Sequence, residues 1–97
     1  MKLIKINTPY GQYTLPLKDV AEHRAKSLYS EKNDKEGYDL AIEFIMEYDN
    51  YNGILYLKNY TEFEEWKDKI TNINDDVIED NEEDIYFWFD INNFEIV

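Results

Sequence analysis

Asp19, His23 and Ser27 fall at steps of four in a stretch of helical spacing, an arrangement in which an acid could orient an imidazole and the imidazole could reach a hydroxyl. Acyl transfer also needs an oxyanion site and a pocket that excludes water, and no glycine-rich segment follows Ser27 to offer backbone donors. The three residues therefore read as an exposed polar face, and no catalytic residue is assigned. Paired carboxylates recur, as in Glu43/Glu47 and Glu64/Asp68. A glycosidase needs two that face each other across a sugar cleft, whereas a pair on one helix points one way. Asn72, Asn74, Asp76, Asp80 and Glu83 match the ligand positions of an EF-hand-like loop in part. Val77 stands where the sharp turn needs glycine, and Asn72 where such a loop opens with Asp. The absence of cysteine and the single histidine exclude thiol catalysis, Cys-ligated zinc, iron–sulfur clusters and multi-His centres. The expectation is a protein that is not an enzyme and uses no metal or cofactor.

What remains is charge. Ten basic and 22 acidic residues give a net charge of -12 over 97 residues. Residues 1–32 carry six basic and three acidic side chains, and residues 33–97 carry four and nineteen, so the acidity belongs to the last two-thirds of the chain. Its densest part is Asp75 to Asp84, with seven carboxylates in ten positions. Asp39, Glu43 and Glu47 form an i, i+4, i+8 row on a helical stretch, with carboxylates about 6 Å apart. Like charges at that spacing mildly destabilise a helix, so helix formation alone does not account for them. A nucleic-acid backbone also repeats anionic groups every few ångströms. The expected partner is a basic protein surface, that of a nucleic-acid-binding enzyme, and not nucleic acid or an anionic membrane, which this charge repels. The expected contact residues are Asp39, Glu43, Glu47, Glu62, Glu65, Asp76, Asp80 and Glu83. A different reading of the chain is a self-associating accessory protein, a homodimer paired along a sheet edge through Tyr86 and Trp88.

The elements that must position these groups follow from hydrophobic periodicity. Lys2 to Ile6 is β-prone, Thr8-Pro9-Tyr10-Gly11 has turn chemistry, and Gln12 to Leu15 alternates until Pro16, which lacks an amide hydrogen, ends the strand. Leu17 to Ser30 takes helical spacing, with Ala21, Ala25 and Leu28 on one face beside Val20. Asn33 and Glu36 form a capping arrangement for a second helix, whose apolar stripe runs through Tyr38, Ala41, Ile42, Ile45 and Met46. Asn52-Gly53 has hairpin-turn chemistry, yet Tyr51, Ile54, Leu55 and Lys58 fit a short helix, which is preferred. Thr61-x-x-Glu64 is a capping box for a helix that places Phe63, Trp66 and Ile70 at steps of three and four. Ile85 to Ile91 reads as a strand, and Asn92-Asn93 turns it into a last short strand, Phe94–Val97. The fold class expected is α+β, one domain over residues 1–97: an N-terminal β-hairpin, three or four helices, and a C-terminal strand or hairpin completing a small antiparallel sheet. No secretory signal and no stretch of membrane-spanning length is present, so a cytoplasmic protein is expected.

The run Thr8-Pro9-Tyr10-Gly11-Gln12-Tyr13-Thr14-Leu15-Pro16-Leu17, followed by Val20-Ala21-Glu22-His23-Arg24-Ala25, resembles the opening of small acidic proteins encoded by bacteriophages and prophages. Tyr48-Asp49-Asn50-Tyr51-Asn52-Gly53-Ile54 resembles a D-x-Y-x-G-I segment of the same group. The resemblance covers roughly a quarter of the chain and carries no chemistry of its own. It implies a mobile-element setting within a host cell, where inhibitors of defence nucleases are a recurring type of small acidic protein.

Overall fold

The protein, seen in a computed structural model, is described here over residues 2–8, 11–66, 68–72 and 91–97. Two strands, β1 (Leu3–Thr8) and β2 (Gly11–Pro16), pair antiparallel from Leu3↔Pro16 to Thr8↔Gly11. The chain enters α1 (Leu17–Leu28) directly from Pro16, whose φ of -60° suits the step into a helix. Leu17 N donates to Lys2 O at 3.1 Å, which ties the helix start to the first strand. The other elements are α2 (Lys35–Glu43), a π turn (Phe44–Tyr48), α3 (Asn50–Tyr60), the single turn α4 (Phe63–Trp66), β3 (Thr71–Asn72), a 3-10 turn (Ile91–Asn93) and β4 (Phe94–Ile96). The sheet order is β3-β2-β1-β4, every neighbouring pair being antiparallel, so the hairpin lies at its centre. The α+β architecture is the one the sequence implies.

Strand alternation decides which face the sheet buries. Ile4 lies opposite both Leu15 and Ile96, and Ile6 opposite both Tyr13 and Phe94, giving two apolar rows across three strands. Ile4, Ile6 and Leu15 are wholly buried, and Val20 and Ala21 of α1, Leu57 of α3 and Trp66 of α4 join them in one core. On the other face Lys5 stands opposite Glu95, with Nζ 3.4 Å from Oε1. A smaller cluster of Ala25, Tyr38 and Ala41 joins α1 to α2. Leu28 belongs to neither cluster; it is 54% exposed, contrary to the face the spacing assigns it. α1 closes at Tyr29, whose amide donates to Ala25 O, and Leu28 is left beyond the last buried turn.

The starts of α2, α3 and α4 are set by local side-chain acceptors, in two cases one residue away from where the sequence suggests. α2 is capped by Asp34, which accepts from Gly37 N at 3.1 Å; Asn33 instead donates its amide to Ser30 Oγ. At α4, Glu65 Oε2 accepts from Glu62 N at 2.6 Å, while Thr61 turns its hydroxyl back to Leu57 O and accepts from the Trp66 indole. Asp49 caps α3 by accepting from the Asn52 amide, so Asn52-Gly53 lies in a helix and not in a hairpin. Asn50 Nδ2 donates to Ile45 O and Met46 O, satisfying carbonyls that the π turn leaves without helical donors.

Gly53 is required by packing. A Cβ there would stand 2.8 Å from Leu17 Cδ1 and 3.0 Å from Ile45 Cγ2, both on wholly buried side chains. Gly53→Val is expected to cost about 1–3 kcal/mol by overpacking. The check is the midpoint of urea unfolding followed by circular dichroism, with Gly53→Ala losing less because alanine gains helix propensity.

Candidate interaction surface

The carboxylates assigned to a partner fall into two groups on the fold. Asp39 and Glu43 are exposed on α2, and Glu47 is exposed on the π turn that follows it. The expected row of three therefore spans two elements, α2 and the π turn that continues it. Glu62 and Glu65, also exposed, stand at the start of α4. Asp76, Asp80 and Glu83 lie outside the described residues, as do Tyr86, Trp88 and all of the calcium-loop positions except Asn72, which ends β3.

Neutralisation is partial. Asp39 Oδ2 is 3.5 Å from Lys35 Nζ, an exposed pair one turn apart, worth about 0.3–0.5 kcal/mol. Glu65 Oε1 is 3.8 Å from His23 Nε2. Glu36, Glu43, Glu47 and Glu62 have no cation at ion-pairing distance among the described residues. Negative charge also reaches the seam between α1 and α2. The buried Tyr38 phenol is pushed above its ordinary value of 10.0, first by burial, then by the charges of Glu31, Glu22 and Asp39.

That shift has a consequence for stability. Tyr38 keeps its proton in the folded protein at a pH where the unfolded chain already loses it, so the folded state binds more protons there. The contribution is whole below the ordinary tyrosine value and is lost as pH rises from there through the raised value. Between pH ~9 and ~11, stability should therefore fall more steeply in the parent protein than in Tyr38→Phe, as read from urea unfolding at each pH.

His23 belongs to a constellation that the sequence does not suggest. Its Nδ1 lies 2.6 Å from Tyr56 Oη on α3, and its ring is 5.0 Å from that of Trp66. The Nδ1 edge of the ring thus meets the Tyr56 hydroxyl while the Nε2 edge faces Glu65. Ser27 donates to Arg24 O at 2.6 Å, so the structure does not assemble Asp19, His23 and Ser27 into a relay. Tyr56 and Tyr60 stack with centroids 5.8 Å apart. Partners 33 and 42 positions from His23 leave no periodic mark in a sequence.

Beside this cluster the surface is apolar. A depression of about 300 Å³ is lined by Arg24, Ser27, Leu28, Tyr56 and Tyr60. A groove of about 260 Å³ between α1 and α2 shares Arg24 and Leu28 and adds Tyr29, Gly37, Leu40, Ala41 and Phe44. Leu40 is 56% exposed and Tyr60 79%. Leu40 was legible in principle, because it lies off the stripe of Tyr38, Ala41, Ile42 and Ile45 and among carboxylates. Among the described residues, no group of three or more His, Asp or Glu could hold a metal ion, and no helix is long and apolar enough to cross a membrane. No family model matches the chain, and no curated protein or solved structure matches it significantly.

Proposed function

We propose that this is a non-enzymatic acidic binding protein that occupies the basic, nucleic-acid-binding surface of another protein and acts there as a nucleic-acid mimic. The support is the exposure of Glu43, Glu47 and Glu62 without a cation partner among the described residues, in a chain of net charge -12. Carboxylates held on helical turns need no ordering when a partner arrives, and opposite charge speeds the encounter. The phage-like opening supplies a setting: an inhibitor of a host nucleic-acid-binding or defence enzyme, at work in the host cytoplasm.

The test is capture of a partner from host lysate on the immobilised protein, followed by elution with duplex DNA or with salt. Mimicry predicts that the captured protein binds nucleic acid and is displaced by both. A partner that stays bound through DNA and high salt contradicts it. So does light scattering that shows a stable homo-oligomer burying the acidic face, the outcome expected of a self-associating accessory protein.

A further inference from the structure

We infer that the groove between α1 and α2 receives an apolar side chain of the basic partner, while Glu36 and Glu43 take the lysines or arginines that flank it. The inference rests on the acidic-surface reading above and adds to it the place and the chemistry of contact. Leu28 and Leu40 stand on the two helices that border the groove and are each more than half exposed. Gly37 and Tyr29 both line it, and the Tyr29 ring lies against Gly37, where a Cβ would meet Tyr29 Cδ1 at 2.7 Å. An apolar trough with a charged rim is the usual form of a protein contact site, and side chains that fill such troughs supply most of the binding energy.

Charge complementarity selects the occupant. Glu36 lies four residues before Leu40 and Glu43 three after it, so both neighbour Leu40 on the helix surface. Neither has a cation at ion-pairing distance among the described residues. Arg24, the one cation among the residues lining the groove, lies over the Phe44 ring at 5.7 Å, against one wall and away from Glu36. A second copy of this chain would set one acidic rim against another, and a nucleic acid or an anionic lipid would meet the same repulsion. A protein segment in which a leucine or an aromatic residue sits between cations satisfies both parts of the surface.

The experiment compares two peptides by calorimetric titration of the whole protein: oligolysine, and a peptide with the same number of lysines interleaved with leucines at helical spacing. The leucine-containing peptide is expected to bind about tenfold more tightly than oligolysine, as one buried leucine allows. Leu40→Ser and Leu28→Ser, both at exposed positions, should each remove that gain and leave oligolysine affinity unchanged. Equal affinity of the two peptides, or a variant that weakens both alike, overturns the groove and leaves the acidic surface standing. Failure of oligolysine to bind at all strikes the acidic surface itself. A dimer in sedimentation that Leu40→Ser dissolves would make the occupant a second copy and overturn the inference.

Discussion

Trp66→Ala is expected to lower the stability of the fold by about 3–5 kcal/mol, the range for truncating a buried tryptophan. Trp66 is 1% exposed and is the largest fully buried side chain among the described residues. It lies at the end of a one-turn helix that has little stability of its own, so the core contacts of Trp66, with those of Phe63, fasten α4 to the sheet and to α3. Its Nε1 donates to Thr61 Oγ1 at 2.9 Å, and the Thr61 hydroxyl donates in turn to Leu57 O within a buried site. Truncation removes the indole from the core and leaves Thr61 without its donor, and a domain has only about 5–15 kcal/mol to lose. Trp66→Phe keeps most of the apolar volume and should cost less than half as much. Urea unfolding of both variants, followed by far-ultraviolet circular dichroism, is the check. A loss under about 1 kcal/mol for Trp66→Ala would show that the indole is not a core element.

The second large effect is on binding. Changing Asp39, Glu43 and Glu47 together to lysine should weaken binding of a basic partner by about 10–100-fold while the fold persists. Each exposed pair contributes about 0.2–1 kcal/mol, and reversal turns three attractions into three repulsions. All three residues are exposed, and among the described residues the one ion pair lost is the exposed Lys35–Asp39 pair. Oligolysine titration measures the affinity and circular dichroism verifies the fold. Undiminished affinity would remove α2 and its π turn from the contact surface and leave the α4 carboxylates to account for it.

The legible parts of this fold are those set by short-range pattern. Ile4, Ile6, Tyr13 and Leu15 alternate and form the buried face of the hairpin; Phe63, Trp66 and Ile70 keep helical spacing and are all buried. The caps at Asp34 and Glu62 were displaced by a single residue, because several neighbouring side chains are competent acceptors and only the backbone path chooses among them. The π turn was not legible. It is held by Asn50 donating to two carbonyls of the preceding turn and by Lys2, from the other end of the chain, donating to Met46 O. The exposure of Glu43, Glu47, Glu62 and Glu65 follows from their place off the apolar stripes and was readable. The coupling of Glu65 to His23, and of His23 to Tyr56, depends on how α1, α3 and α4 meet, which no local spacing encodes.

Amide chemical-shift mapping during an oligolysine titration at low salt tests most directly whether the carboxylates act together as a docking face. Shifts concentrated over Glu36–Glu47 and Glu62–Glu65, fading as salt is raised, are the predicted result. Shifts of equal size at Asp19 and Glu22 of α1 and at Glu95 of β4 would mean that the cation finds negative charge everywhere alike, and would contradict it.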